Sequence, residues 1–500
     1  RTPMSLATLA VIVLSWGKKA PVPAPEPSTL GMTLLAVCVC WLLPLVLKAI
    51  SPCFVHASGQ RSRAAQQADG LVVVGGGLAG LAAAAALTRV AGVQRVSVLE
   101  RSLAAAFGDE EAGAAAQLGP NGLRALRFIG GDETLAAVRS AGTDLAGTAI
   151  HPGGGAAVML IPDPAKADTG LPQVLVRWGV LRSALANLLP EGTVVTEAGD
   201  IAGYELAGGG VVPVSASGVQ LLPREAAKAA APLLIAANGL RSTFRPIVLS
   251  GVQNVQALGG AEAAVKGAVK DGGRTNIKAV VQLPLPPGFA ANHTHAYFAP
   301  GGGLAVFAGS AGDGWTYWAV SIADQEGDSA APLLAETSSS FRGLLAAQAG
   351  GPAEVTHALA QALIKICLSE GKELQFVADL IGATDPARIL LQRSEEAVAV
   401  GPALSSGDGR VVLVGDAAHG MSPAYGQAAN FAMEDAAVLA RCVRDAESLS
   451  EALQAYEQER VVRCREMTAR SAERAAKAMR GERAEDVSKW IFEWDIGQNP

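Results

Sequence analysis

Leu71-Val72-Val73-Val74-Gly75-Gly76-Gly77-Leu78-Ala79-Gly80 is the stretch on which the reading of this chain turns. Four apolar residues form a strand, and an alanine-rich helix follows the glycines from Leu81 to Leu87. A second apolar strand, Val96-Ser97-Val98-Leu99, ends on Glu100-Arg101. Each part has a physical task. Gly75 lets the chain turn sharply out of the strand, Gly77 leaves no side chain between the backbone and a pyrophosphate, and Gly80 lets the helix pack closely on the sheet. The helix starts at this turn, which also carries Leu78 and Ala79, so its free N–H groups and positive dipole end face the same phosphate. Glu100 lies 20 residues past Gly80, where a carboxylate can accept both hydroxyls of an adenosine ribose. An ordinary glycine turn between strand and helix is the alternative, and the flanking strands and placed acid weigh against it. The pattern predicts a dinucleotide site without choosing between FAD and NAD.

The rest of the composition bounds the answer. Five hundred residues suggest about two to four domains. The formal charge is −6, but residues 1–70 hold six basic against two acidic side chains, which leaves −10 on the remainder. That balance excludes a nucleic-acid-binding body. Cys38, Cys40, Cys53, Cys367, Cys442 and Cys464 show no metal-ligand spacing and no disulfide framework. No metal is expected.

Residues 1–69 differ from the body. An apolar run at 5–16 precedes Lys18-Lys19 and a proline-rich linker, and residues 30–47 form an uncharged run broken by Pro44. That length reaches the lower limit for a membrane-spanning helix. Residues 51–67, rich in Ser, Ala, Arg and Gln without acids, resemble an organelle transit segment. A membrane anchor, a removed targeting segment and a buried core helix all stay open, so the expected location is membrane-associated or organellar (plastid or mitochondrion).

Downstream, 118–130 reads as a Pro-Asn-Gly turn leading into a helix, a packing unit. Arg177 closes the strand-like Val174-Leu175-Val176, either as a surface charge or aimed at an anionic ligand. The strand Pro232 to Ala237 runs into Asn238-Gly239-Leu240-Arg241-Ser242, a polar turn of the kind that binds ligands in open α/β sheets. Residues 246–400 carry short alternating runs at 278–283, 295–298, 304–307 and 315–322, read as antiparallel strands, with helices near 330–347 and 353–368. Alternation puts Trp315 and Tyr317 on one face and Trp318 on the other. The second decisive stretch is Arg410-Val411-Val412-Leu413-Val414-Gly415-Asp416-Ala417-Ala418-His419. Asp416 ends an apolar strand, where a carboxylate can hold a hydroxylated chain or cap a helix. A helix is expected from about 431 to 443, an amphipathic one within 449–482 using Leu453, Tyr456, Val461 and Val462, and an apolar tail at Trp490-Ile491-Phe492-Glu493-Trp494 that docks on the body or touches a membrane.

These residues together resemble the FAD-dependent monooxygenases of the aromatic-hydroxylase type, which include para-hydroxybenzoate, salicylate and kynurenine hydroxylases and zeaxanthin epoxidase. The resemblance runs from about 71 to 463. It rests on the glycine fingerprint with Glu100-Arg101, on Arg177 four residues before Leu181, on Asn238-Gly239-x-x-Ser242-x-x-Arg245, and above all on 410–437. There Gly-Asp-Ala-Ala-His and Glu434-Asp435-Ala436 keep the family spacing, and Tyr456-Glu457 with Arg460 and Arg463 resembles the closing helix. It implies an α/β fold: a discontinuous Rossmann-like FAD-binding domain (70–245 and 401–445), an α+β antiparallel-sheet substrate domain (246–400), and a C-terminal helix and tail (446–500).

The resemblance also implies FAD with its pyrophosphate at 75–80 and adenosine ribose on Glu100, beside Arg101. Asp416 would hold the ribityl chain, and Arg177 and Asn238 would lie on the cofactor. Gly426, Ala428, Ala429 and Asn430 would approach the flavin pyrimidine edge, with Pro423 beside the reactive face. Such enzymes reduce FAD with NADH or NADPH, form a C4a-hydroperoxyflavin with dioxygen, and oxygenate an aromatic or olefinic small molecule; the flavin carries the chemistry. A membrane contact is expected through 30–47. Two positions depart from the family: Asn238 stands where Asp is usual, and Ala428 where Gly is usual. A related flavoprotein such as a prenyl reductase, or a non-catalytic FAD-binding protein, is the alternative; the Trp-x-Trp-x-Ile-Pro segment of flavin halogenases is absent. No side chain is assigned a catalytic acid–base role.

Overall fold

Four apolar residues in a row can be buried on both faces only inside a sheet covered by helices. In the computed structural model, which describes residues 61–152, 157–215, 230–299, 302–323, 353–480, 482 and 484–497, Leu71–Val74 takes that position. It pairs in parallel with Val96–Leu99 on one side and Leu234–Ala236 on the other. The full order across this sheet is Val411–Leu413, Leu234–Ala236, Leu71–Val74, Val96–Leu99, Val194–Val195. Register matters more than order. Val74 is level with Leu99 and Ala236, and Ala236 with Leu413. The segments after these residues therefore open on one carboxyl edge, the ligand edge of an open parallel sheet.

Alanine lets helices come close. In Leu78–Arg89 every residue from Gly80 to Ala86 is buried, and the helix packs on Ala428–Asp445, whose Phe431, Met433, Val438 and Leu439 join the same core. The 31-residue helix Leu449–Met479 closes this layer. Ser448 caps it by accepting the Glu451 N–H, and Glu451 reaches back to the Glu447 N–H, a reciprocal cap. Tyr456 and Val461 face inward as expected, but Val462 is exposed.

A second sheet has seven strands in the order Leu390–Ala397, Val269–Val281, Thr316–Ala323, Leu304–Ser310, His293–Phe298, Gly147–His151, Met159–Pro162. Its outer face packs on Ala353–Glu370 and Gln375–Ala383 through Trp318, Val320, Leu363 and Leu380. Its last two strands come from the stretch that sequence assigns to the nucleotide domain. They are held there by parallel pairing of Gly147–His151 with His293–Phe298. A three-stranded sheet of Ala115–Leu118, Gln173–Arg177 and Thr143–Leu145 lies in the nucleotide half.

The leading segment is shorter than 1–69. Ser62 donates to the Val443 carbonyl (2.7 Å) and caps the helix Arg63–Gln67, and Ala64, Ala65 and Ala68 are fully buried. The acid-free composition of 51–67 concealed these core alanines. The apolar runs at 5–16 and 30–47, the proposed membrane contact among them, and the helix expected over 330–347 lie outside the described residues. Among the described residues no helix is long and apolar enough to cross a membrane. The C-terminal tail docks on the body: Ile491 and Phe492 are buried, Arg463 lies 4.6 Å over the Trp490 ring, and Arg124 donates to the carbonyls of Phe492 (2.5 Å) and Trp494 (3.0 Å).

Candidate functional site

The glycine turn is built for close approach. Gly75 has φ +110°, and its N–H donates to the Leu99 carbonyl at 2.8 Å. A Cβ there would come 2.5 Å from Ala237 O and 2.9 Å from Ala237 C, so only glycine fits. A Cβ on Gly80 would overlap the Gly75 carbonyl oxygen. Gly77 is the opposite case: it caps the helix start with no side-chain bond, and a Cβ there would meet nothing within 4 Å. Two glycines serve the protein's own packing, and the third faces open space at a helix N-terminus. Leu78 is buried and Ala79 half-buried.

Glu100 is oriented by the backbone. Its Oε2 accepts the Gly76 N–H at 2.7 Å and its Oε1 the Ser102 N–H at 2.9 Å, which leaves further lone pairs on both oxygens. Arg101 turns outward to an exposed pairing with Asp200 at 3.2 Å. The Arg177 side chain is mostly buried, with its guanidinium 4.9 Å over the Trp315 ring and 4.0 Å from Asp313, and its Nε has no hydrogen-bond partner. Asn238 Oδ1 is likewise buried without a partner. Arg182, which sequence reasoning passed over, lies 4.9 Å from the Phe107 ring and 4.8 Å from that of Trp178. It donates to the carbonyls of Ala106 (3.0 Å) and Asp109 (3.3 Å). Burial holds its pKa below the ordinary arginine value.

The Asp416 strand end meets the glycine helix directly. Gly415 has φ +59°, and a Cβ there would lie 2.6 Å from the Ala79 methyl. Asp416 opens the short helix Asp416–His419. Burial raises its carboxyl pKa, and His419, Arg245 and Lys278 pull it back; no hydrogen bond engages this carboxylate among the described residues. Arg245, another residue given no site role from sequence, is 1% exposed and ties two turns together. It donates to the carbonyls of Asp416 (3.2 Å), Ala417 (3.1 Å), Leu240 (2.7 Å) and Ala268 (3.1 Å). Burial pushes its pKa down to about 10.

Behind Asp416 lies a fully buried charge network. Asp435 Oδ2 accepts from the Gly415 N–H (2.7 Å) and pairs with His419 Nε2 (2.6 Å), while Arg460 bridges Asp435 (2.7 Å) and Glu434 (2.6 Å). Arg463 grips Glu434 with two bonds of 2.7 and 2.8 Å. Asn121 Nδ2 donates to Glu434 (2.7 Å) and to Gln427 (3.0 Å). Asn121 belongs to the unit read from sequence as packing only. Its partners lie more than 300 residues away, and nothing local signals them. Asn430 completes the frame: its Oδ1 accepts the Gly119 N–H (2.7 Å), and its Nδ2 donates to the carbonyls of Gln117 and Gly426. His419, Asp435 and Cys464 bring three ligand-type atoms within 4.8 Å of one another. The Arg460 guanidinium already supplies the positive charge there, so the group reads as an ion network and not a metal centre.

The turn held by this frame is open outward. Pro423 and Gly426 are exposed, and Gly426 has φ +65° with nothing within 4 Å of a Cβ. Ala428 and Ala429 are half-buried in the first turn of the 18-residue helix Ala428–Asp445, which no side chain caps. Its first N–H groups are free to meet negative charge. The Ala428 methyl is no part of the core. Across from this edge stands the second sheet, where Trp318 is fully buried in the outer core and donates from its indole nitrogen to Thr384 (2.9 Å), while Tyr317 and Trp315 lie on the opposite side.

Residues 394–471 match the FAD binding domain family. The aurachin C monooxygenase/isomerase of Stigmatella aurantiaca is 27% identical over 403 residues, covering 80% of this chain and 87% of the relative. A 3-amino-4-hydroxybenzoate 2-monooxygenase of Streptomyces platensis is 28% identical over 421 residues, covering 84% and 89%. Among solved structures, Klebsiella pneumoniae HpxO complexed with FAD and uric acid superposes with a TM-score of 0.61 at 21% identity, over 85% of this chain and 93% of that one. The orphaned Arg177 Nε, the open Gly77 and the uncapped helix start fit an anionic nucleotide cofactor, and the orphaned Asn238 Oδ1 fits one of its hydroxyl or N–H donors. By its FAD binding domain match and its relatives the chain is an FAD-dependent monooxygenase, similar to those of the aromatic-hydroxylase type.

Proposed function

We propose that this enzyme oxidises NADH or NADPH and transfers one oxygen atom of dioxygen to an aromatic or olefinic small molecule. The observation that carries the reading is the meeting of the two strand ends, with Ala79 of the glycine helix against Gly415 beside Asp416. One flavin nucleotide would be held along that edge. The N–H groups at Gly77, Leu78 and Ala79 hold its pyrophosphate, between the tight turns at Gly75 and Gly80. Glu100, pre-aimed by two amides, takes the ribose hydroxyls, and Asp416 takes the ribityl hydroxyls. Arg177 and Asn238 would meet the cofactor with their orphaned atoms, and Arg101 would stay at the rim. Ala428, Ala429 and Asn430 present a helix N-terminus to the pyrimidine edge, with Gly426 and Pro423 lining the approach.

When bound, the flavin supplies hydride acceptance from the nicotinamide and activation of dioxygen. The protein's part is orientation and exclusion of water. The N-terminus of the helix Ala428–Asp445 would favour negative charge on a bound ring, and the second sheet would keep water from it. The names of the two relatives support an aromatic substrate. The apolar run at 30–47 supports a membrane-anchoring or organelle-targeting role for the leading segment, which fractionation of the full chain tests.

The full chain, purified, is expected to be yellow and to consume NADH or NADPH faster when a substrate is present. Label from ¹⁸O₂ is then expected in the product. Flavin reduction without label in any product would move the chain to another flavin chemistry, such as prenyl reduction. Flavin that neither nicotinamide reduces would make it a binding protein.

A further inference from the structure

Directly after Glu100, residues 101–113 run across the surface as a strap in which no side chain is buried. The apolar core therefore does not fix its course. Two arginines do, one from each half of the protein.

Arg182 holds the strap from beneath. It is 6% exposed. Its guanidinium lies between two rings, 4.9 Å from Phe107 on the strap and 4.8 Å from Trp178 below, and it donates to the strap carbonyls of Ala106 (3.0 Å) and Asp109 (3.3 Å). Burial lowers its pKa while the nearby charges of Glu100 and Asp109 raise it. Its Nε is buried without an acceptor among the described residues, a costly state that a ligand oxygen would relieve. The ring that Arg182 steadies stands at the Glu100 carboxylate: a Cβ on Gly76 would come 2.9 Å from both Phe107 Cε2 and Glu100 Oε2. The far end of the strap rests on the same helix, where Gly179 leaves room for the Glu110 carbonyl, 2.4 Å from where a Cβ would stand.

Arg388 holds the strap from outside. It ends the turn Pro386–Arg388, which leads into the edge strand Leu390–Ala397 of the seven-stranded sheet. Its two terminal nitrogens divide between two strap carboxylates, Asp109 Oδ2 at 3.1 Å and Glu111 Oε2 at 3.1 Å. Asp109 is aimed by accepting the Glu111 N–H through Oδ1 at 2.9 Å. All three side chains are partly exposed, so these pairs are individually weak and screened by salt. A tie of that kind opens readily, whereas an arginine set between two rings keeps its place.

We propose that residues 101–113 close over the adenosine half of the bound dinucleotide, with Arg182 as the positioning residue that sets Phe107 beside the ribose and Arg388 as a latch through which the second half of the protein retains the cofactor. This rests on the placement of FAD along the glycine turn with its ribose on Glu100, and adds a retention device to it.

The test follows FAD release from the loaded full chain after dilution, by recovery of flavin fluorescence, at low and at high sodium chloride. Parent release is expected to be faster at high salt. Arg388→Gln speeds release about two- to thirtyfold at low salt and shrinks the difference between the two salts. Arg388→Lys keeps part of that difference, since an ammonium cannot fork to two carboxylates. Asp109→Asn with Glu111→Gln matches Arg388→Gln, and all three changes together speed release no further. Arg182→Met, which still fills the space between the rings, speeds release about ten- to a hundredfold. The urea midpoint of the Arg388→Gln apoprotein stays near the parent value. Unchanged release in Arg388→Gln or in Arg182→Met overturns the proposal, as does an undiminished salt difference in Arg388→Gln. Faster release matched by a fall in the apoprotein midpoint also overturns it, because the tie then serves the fold alone. In each of these cases the parent still binds FAD and the broader reading stands. FAD affinity unchanged in Glu100→Gln, or a parent chain that takes up no FAD, overturns the proposal together with the placement it rests on.

Discussion

Gly77→Ala and Gly80→Ala separate the fold from the cofactor site. Both add one methyl group, three residues apart, in the same turn. At Gly80 the new Cβ would overlap the Gly75 carbonyl oxygen and come 3.2 Å from the Ala237 methyl. Helix and strand must move apart, and overpacking of this kind costs about 1–3 kcal/mol. At Gly77 the new Cβ would meet nothing within 4 Å, and φ −78°, ψ −176° is open to any residue. Losing glycine at a helix cap costs a few tenths of a kcal/mol to about 1, and the stiffer unfolded chain returns about 0.4–1, so the net change is about zero. With a pyrophosphate against that backbone, the same methyl occupies ligand space. An overpacking penalty of about 1–3 kcal/mol there corresponds to a five- to 150-fold loss of FAD affinity. Urea unfolding of the apoprotein by circular dichroism gives the stability arm, and quenching of flavin fluorescence gives the affinity arm. Gly80→Ala is expected to lower both, and Gly77→Ala affinity alone. A Gly77→Ala protein that binds FAD like the parent would refute the placement of the pyrophosphate, whatever its stability.

The other predictions follow the same logic. Asp416→Asn removes a carboxylate that burial already disfavours, so apoprotein stability holds or rises while FAD affinity falls about tenfold or more; unchanged affinity removes Asp416 from the ribityl chain. Arg460→Met leaves Asp435 and Glu434 without their buried partner and is expected to cost about 3–5 kcal/mol in urea unfolding, and a cost near zero would mean the network is solvated. Burial pushes His295 down to about 4 from its ordinary 6.5, so the unfolded chain takes up a proton that the folded chain refuses. Stability from this group is whole above pH 6.5 and is lost as pH falls toward 4, by up to about 3 kcal/mol. His295→Gln should flatten the fall of the urea midpoint between pH 7 and 4.5, and an unaltered slope would assign the acid loss to other groups.

How far the sequence was legible follows from where each signal is written. The strand ends at Gly75 and Asp416 are local: glycine spacing, an apolar run and a placed acid all fall within thirty residues, and each has a backbone reason. Tyr317 and Trp318 were sorted correctly because strand alternation is also local. The seven-stranded sheet was only partly visible, since Gly147–His151 joins it by pairing with a strand some 145 residues downstream, and no period in either segment records that partner. Asn121 reads as a turn residue until Glu434 is found beside it. Lys278 reads only as the start of an alternating strand until Asp416 is found near enough to act on its charge.

This division has a physical origin. A dinucleotide is recognised mainly by backbone groups at strand ends and helix starts, and backbone geometry demands particular residues at particular spacings. A ring substrate is recognised by side chains gathered from several strands, and almost any residue can stand at such a position without disturbing the sheet. On the proposed reading, the cofactor side of this enzyme is spelled out along the chain, while the substrate side exists only once Val269–Val281 and Thr316–Ala323 are in register. On this argument, exchanging residues on the inner face of that sheet should alter which ring the enzyme accepts and leave its flavin in place. Exchanging Gly77 should weaken flavin binding and leave the sheet as it was.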